Sequence, residues 1–194
     1  MSAAHEITIT TDAAETDHQP QSFWSKYVFA QDHKMIAKQY LITGILWSVI
    51  GLTMSVIFRI QLGMQDAKML WLKPILGDWI TDTGKLDPNF YLALVTMHGT
   101  IMVFFVLTAG LSGTFSNFLI PLQIGARDMA SGFMNMLSYW FFFSASIVML
   151  SSLFISTGPA AGGWTVYPPL SALPQALPGS GLGMTLWLAS MALF

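Results

Sequence analysis

The stretch Pro88-Asn-Phe-Tyr-Leu-Ala-Leu-Val-Thr-Met-His-Gly-Thr-Ile-Met-Val-Phe-Phe-Val-Leu-Thr-Ala-Gly-Leu-Ser-Gly-Thr-Phe-Ser-Asn-Phe-Leu-Ile-Pro121 decides the fold. It contains no Asp, Glu, Lys or Arg and exceeds the roughly 20 apolar residues that a helix needs to cross a bilayer. The pattern extends in both directions: residues 39–58, 88–126 and 129–194 are all free of those four residue types. Only 9% of the 194 residues are charged and 54% are hydrophobic, whereas a soluble domain carries roughly 25% charged residues. Too few charges remain to cover a water-facing surface. A soluble globular domain and a disordered chain are excluded, and so is a disulfide scaffold, since there is no Cys. The fold class is all-α, a polytopic transmembrane helical bundle. A net charge of −2 and a pI near 6.0 leave no basic footprint for nucleic acid.

Outward from that stretch, residues 1–22 read as a polar, solvated tail with no apolar core. His5 and His18 lie in it, and neither carries a role. Residues 23–194 read as the membrane domain. Phe23, Trp24, Tyr27 and Phe29 around Lys26 have the composition of a segment at the membrane–water interface. Spans are expected at about 40–62, 90–119 and 135–156, with a truncated fourth at 184–194. Pro121 is expected to close the second span, because proline costs a helix one backbone hydrogen bond. Residues 63–89 form a polar connection, and 158–181 an uncharged, Gly- and Pro-rich loop packed at the membrane surface. The final apolar run is too short to cross, so either the chain is a fragment or another chain completes the bundle. Lys26, Lys34 and Lys38 cluster before the first span, which favours a cytoplasmic N-terminus, although Lys68, Lys73 and Lys85 offset them.

Ionisable side chains inside lipid are expensive and mark function or pairing. Two stand out, Arg59 late in the first span and His98 early in the second, in the same half of the bilayer. His98 is either a core histidine bonded to a neighbouring helix or an axial ligand to a buried heme. Arg59 either snorkels to the headgroups or is held against an acceptor on a cofactor. At the other membrane surface, Asp128 in the short loop reads as a solvated charge and Asn117 and Asn135 as interhelical hydrogen bonds, or the three together as the lining of a hydrated proton path. Gly110 and Gly113 suit close helix approach.

The strings Thr96-Met97-His98-Gly99-Thr100-Ile101-Met102, Pro121-Leu122-Gln123-Ile124-Gly125-Ala126-Arg127-Asp128-Met129-Ala130, Asn135…Leu137-Ser138-Tyr139-Trp140 and Gly163-Trp164-Thr165-Val166-Tyr167-Pro168-Pro169-Leu170 closely resemble subunit I of heme–copper terminal oxidases. With His33-Lys34 and Arg59, the resemblance covers about residues 30–175. It implies the twelve-helix oxidase fold and a respiratory membrane, the plasma or inner membrane of a bacterium, with the N-terminus cytoplasmic. It implies that His98 is one axial ligand of low-spin heme a, that Arg59 hydrogen-bonds the heme formyl group, and that Gly51 leaves room for the heme side chain. Trp164 and Tyr167 match residues near the high-spin heme and its propionates. Asp128 matches the entrance acid of the D proton channel, Asn117 and Asn135 the asparagines above it, and His33 a histidine at the same mouth. The activity implied is proton-pumping reduction of oxygen to water. Implied partners are the remainder of subunit I, subunits II and III, cytochrome c as electron donor, membrane lipids and, more remotely, a respiratory supercomplex.

The sequence departs from the family pattern at Gln61, where many members have a Glu near a bound cation, and at Met136, where a second Asn is common. The connection 63–89 is long for mitochondrial-type members. Quinol oxidases carry acidic, histidine and glutamine contacts where this chain has Met54, Phe90 and Ala93, which favours cytochrome c as reductant. The second heme a ligand, the high-spin heme ligand and the copper histidines lie beyond residue 194 in this family. With no histidine after His98, these residues do not hold the oxygen-reducing centre alone. The alternatives are a quinol oxidase, a nitric oxide reductase of the same superfamily, or a transporter or structural bundle without cofactor.

Overall fold

The computed structural model describes residues 22–155, 158–173, 175–177 and 181–194. The polar tail with His5 and His18, Ser156 at the end of the expected third span, and parts of the 158–181 loop lie outside the described residues. The chain divides into two compact units, Met1–Ala30 and Gln31–Phe194. In the first, a π-helical turn Trp24–Val28 exposes Phe23, Trp24, Tyr27 and Phe29. Lys26 Nζ lies 5.3 Å from the Tyr27 ring centroid.

Among its described residues the second unit is built on the long helices α1 (His33–Gly63), α2 (Pro88–Gln123) and α3 (Gly132–Phe154) and the shorter α4 (Leu182–Leu193). The first three are long and apolar enough to span a membrane. Among the described residues the only β-type pairing is the isolated bridge Ile80–Leu86, so the all-α reading holds.

Helix α1 starts seven residues before the expected Tyr40. Its first two turns carry His33, Lys34, Lys38 and Gln39, which apolarity cannot flag, but the Asp32 side chain caps them by accepting from the Met35 N–H at 3.0 Å. Its buried residues include Ile36, Tyr40, Thr43, Trp47, Gly51, Met54 and Phe58, a stripe at three- and four-residue spacing. The opposite stripe, with Ile42, Ile45, Leu46, Val49, Leu52 and Val56, is exposed and equally apolar, as lipid contact requires.

Helix α2 begins at Pro88 in the first turn, where a missing N–H costs nothing, and the Asp87 side chain accepts from the Asn89 and Phe90 N–H groups. Its middle, Ile101–Leu111, is π-helical, and Thr108 Oγ1 donates five residues back to the Val103 carbonyl at 2.8 Å. The helix runs through Pro121 and ends at Gln123, so Pro121 does not close the span. Its ring removes one amide donor, and the turn that follows is held by Ile124 N–H donating to Ile120 and Ala126 N–H to Pro121.

Helix α1 packs along α2 and α3, and α3 packs against α4. A Cβ on Gly110 would stand 2.9 Å from Gly44 Cα, so α1 and α2 touch backbone to backbone there. Tyr40, Phe105 and Phe142 fill the seam beside them, with the Tyr40 and Phe142 rings stacked at 5.2 Å. Trp187 Nε1–H donates to Thr100 Oγ1 at 3.0 Å and Ser190 Oγ–H to the Ala145 carbonyl at 2.8 Å, which fastens α4 to α2 and α3. The connection 64–87 is ordered by buried Met69, Leu72, Ile80 and Leu86, and an exposed Lys73–Asp82 ion pair at 2.5 Å lies on its surface.

Candidate functional site

The residues singled out in the sequence fall into two groups at different levels of the bundle. The first surrounds His98. Its Nδ1 lies 2.8 Å from the Gly51 carbonyl of α1; a carbonyl only accepts, so Nδ1 carries the hydrogen and the Nε2 lone pair stays free for a Lewis acid. Phe58 meets the imidazole edge-on at 5.6 Å between centroids, fixing the ring plane. Gly51 thus has a role beyond leaving room: its carbonyl orients the imidazole, and a Cβ there would stand 2.8 Å from Met102 Sδ. Arg59 lies eight residues on, about 12 Å along the helix by its rise. It is exposed and makes no hydrogen bond or ion pair among the described residues.

The loop after α3 docks on the same helix. Gly163 N–H donates to Thr96 Oγ1 at 3.1 Å, two residues before His98. Its Trp164 ring meets Phe104 of α2 edge-on at 6.0 Å. Trp164 and Tyr167 are 51% and 69% exposed, so each is left at least half uncovered by the described residues.

The second group sits at the N-terminus of α1. His33 is buried, and its Nδ1 lies 2.9 Å from Asp128 Oδ1. The same oxygen accepts the backbone N–H groups of His33 at 3.2 Å and Met129 at 2.7 Å. Desolvation pushes the Asp128 carboxyl up, but the Met129 and His33 hydrogen bonds outweigh it and hold the group below the ordinary carboxylate value. Ligand atoms of Asp32, His33 and Asp128 lie within 4.8 Å of one another, though His33 Nδ1 is already committed to Asp128.

Between the two groups runs a polar seam. Asn117 donates from Nδ2 to the Gly113 carbonyl at 2.7 Å, while its buried Oδ1, Asn135 Nδ2 and His33 Nε2 find no partner among the described residues. Buried polar atoms without partners are unusual, and ordered water is their usual complement. Tyr40 OH meets Ser138 Oγ at 3.0 Å, and Thr43 Oγ1 meets Tyr139 OH at 3.0 Å. A cavity of about 430 Å³ opens here, lined by Tyr40, Thr108, Ser112, Ser116 and Ser138 among others. Sequence reasoning missed these hydroxyls. The signal was present: Thr108, Ser112 and Ser116 recur every fourth residue, on one helix face.

The sequence profile of cytochrome c and quinol oxidase polypeptide I matches residues 35–194. The chain belongs to this family. The alternative cytochrome c oxidase subunit 1 of Bradyrhizobium diazoefficiens is 41% identical over 177 residues, covering 91% of this chain and 27% of that protein. Cytochrome c oxidase subunit 1 of Thermostichus vulcanus is 37% identical over 172 residues, covering 88% and 28%. Ubiquinol oxidase subunit 1 of Acetobacter aceti is 37% identical over 164 residues, covering 84% and 22%. The chain spans about a quarter of the length of these relatives. Membership makes it an integral membrane member of the heme–copper oxidase subunit I superfamily, in which cytochrome c oxidases and a quinol oxidase both stand among its relatives. The family implies heme and copper, and the residues present fit a heme: a histidine with one nitrogen anchored to a carbonyl and the other unengaged is the arrangement metal-ligating imidazoles adopt.

Proposed function

We propose that this chain is the part of a proton-pumping cytochrome c oxidase subunit I that supplies one axial ligand to low-spin heme a and the mouth of the D channel. The observation that carries the reading is the His98–Gly51 hydrogen bond, which fixes the tautomer and aims Nε2 away from α1. When bound, a heme would supply one-electron transfer. His98 would hold its iron, with the imidazole made more basic by the Gly51 carbonyl behind it. Arg59, whose side chain has no partner among the described residues, would donate to the heme formyl oxygen, and a charge-assisted bond of that kind is roughly twice as strong as a neutral one. Trp164 and Tyr167 would offer aromatic surface to the high-spin heme, and Gly51 would leave room for the heme side chain.

On the opposite side, Asp128 collects protons as an ionised, half-exposed carboxylate held in place by His33. Asn117 and Asn135 offer their unpaired atoms to water, and the hydroxyls of Tyr40, Ser138 and Ser112 continue the line. This orientation puts the N-terminus on the cytoplasmic side of a bacterial respiratory membrane. The remainder of subunit I, with subunits II and III, provides the second heme, the copper and the oxygen site. Cytochrome c is the reductant, a choice supported by Met54, Phe90 and Ala93, none of which offers a quinol ring a strong hydrogen-bonding side-chain group.

His98→Ala in the complete oxidase tests the proposal. A reduced-minus-oxidised spectrum should lose the low-spin heme a band while the polypeptide remains in the membrane. An unchanged band would place the ligand elsewhere and return His98 to a packing role.

A further inference from the structure

A second cavity, of about 750 Å³, lies at the C-terminal end of α1 and belongs to neither group of site residues. Its walls come from Val49 to Ile57 of α1, the first turns of α2 and the end of α3, and the Leu72–Trp79 turn of the connection roofs it. Thr53 carries the one polar side-chain atom of the lining apart from the Trp79 indole, and its hydroxyl already donates to the Val49 carbonyl at 2.8 Å. Water held in a protein needs two to four polar partners, and the side chains of this lining do not supply them. The size is that of a ligand site, roughly 300–1,000 Å³.

The surroundings say what fills it. Rim residues Val49, Ile75 and Phe154 are 57%, 78% and 82% exposed, and all are apolar. Val49 is also part of the exposed apolar α1 stripe from Ile42 to Val56, so the mouth of the groove is continuous with the apolar outer face of a helix long enough to span a membrane. A headgroup or ring oxygen inside would face Met54 and Phe90, with the Trp79 ring closing on Phe90 at 3.8 Å between centroids. We propose that this groove seats one acyl chain of a bilayer phospholipid between α1 and the Leu72–Trp79 turn. The chain fills space that is otherwise a void, whose lining would forfeit its dispersion contacts. The inference does not depend on the heme or on the proton path.

The test uses the complete oxidase in nanodiscs containing phosphatidylcholine with a diazirine midway along one acyl chain. After photolysis, peptide mass spectrometry should find adducts on Met54 and Leu94 as well as on the outer stripe. Ile75→Trp, at the exposed rim and remote from the core, should narrow the mouth and abolish the Met54 and Leu94 adducts, with labelling of Ile45 and Leu52 unchanged as the control for folding and insertion. Adducts confined to the outer stripe in the unsubstituted protein overturn the proposal, because another part of the oxidase then covers the groove. Loss of the groove adducts on adding a short-chain quinone also overturns it, since the seat is then a quinone's. Adducts that persist in Ile75→Trp place the label outside the roofed space and do the same.

Discussion

At the scale of single residues, the side chains that matter are those whose polar atoms this chain satisfies only in part. Asp128 accepts three hydrogen bonds on one oxygen and sits below its ordinary pKa. A depressed carboxylate stabilises the fold above its unfolded value, near 3.9, and that contribution is lost as pH falls through the lower folded value. Acid titration of the complete oxidase should therefore show a loss of thermal stability below about pH 4 that Asp128→Asn lacks; superimposable curves would mean that the His33 and Met129 bonds carry no linkage. The same variant should depress turnover and pumping while heme content stays normal. Persistence of both activities would remove Asp128 from the proton path. Above that range Asp128 is already ionised, so a pH-dependent step in turnover near neutrality belongs to another group.

At the scale of elements, the decisive contact is the crossing of α1 and α2 at Gly44 and Gly110. Gly110→Leu should cost about 1–3 kcal/mol as overpacking, because its side chain would meet the Gly44 backbone, which cannot swing aside as a rotamer can. A lowered melting temperature of the purified complex, with the heme band retained, is the expected result. An unchanged melting temperature would show that the two helices slide apart freely. The connection offers the contrast. Lys73 and Asp82 form a pair whose charges water screens, so Lys73→Ala should leave the melting curve nearly unmoved; a large drop would mean that the pair, and not buried Met69 and Ile80, orders the segment.

At the scale of the molecule, α1 has two apolar faces with different jobs, one against α2 and α3, the other toward lipid. Ile45→Arg, on the outer face near mid-span, should impair membrane insertion by roughly 2.5–3.5 kcal/mol on insertion scales. A glycosylation-mapping assay that found insertion unaltered would put that face in contact with protein or water. The uncharged runs alone pointed to an all-α membrane bundle of three spans and a truncated fourth, since no other arrangement satisfies backbone groups in hydrocarbon without a closed barrel, and three helices among the described residues are long and apolar enough to span. The sequence also singled out His98 and Arg59, because an imidazole or charge within an apolar span has no inexpensive explanation, whereas Asp128, a loop carboxylate, drew notice through the family resemblance. Hydropathy could not find the polar first turns of α1, the π-helical stretch of α2 or the passage through Pro121, because these depend on caps and hydrogen-bond registers that leave no apolar period. Only the tertiary structure decided that Gly51 orients His98, that His33 grips Asp128 from 95 positions away, and that Tyr40 and Ser138 share a polar seam. Each pairs atoms on different helices, and the distance between them is set by how the helices pack, which residue order does not encode locally.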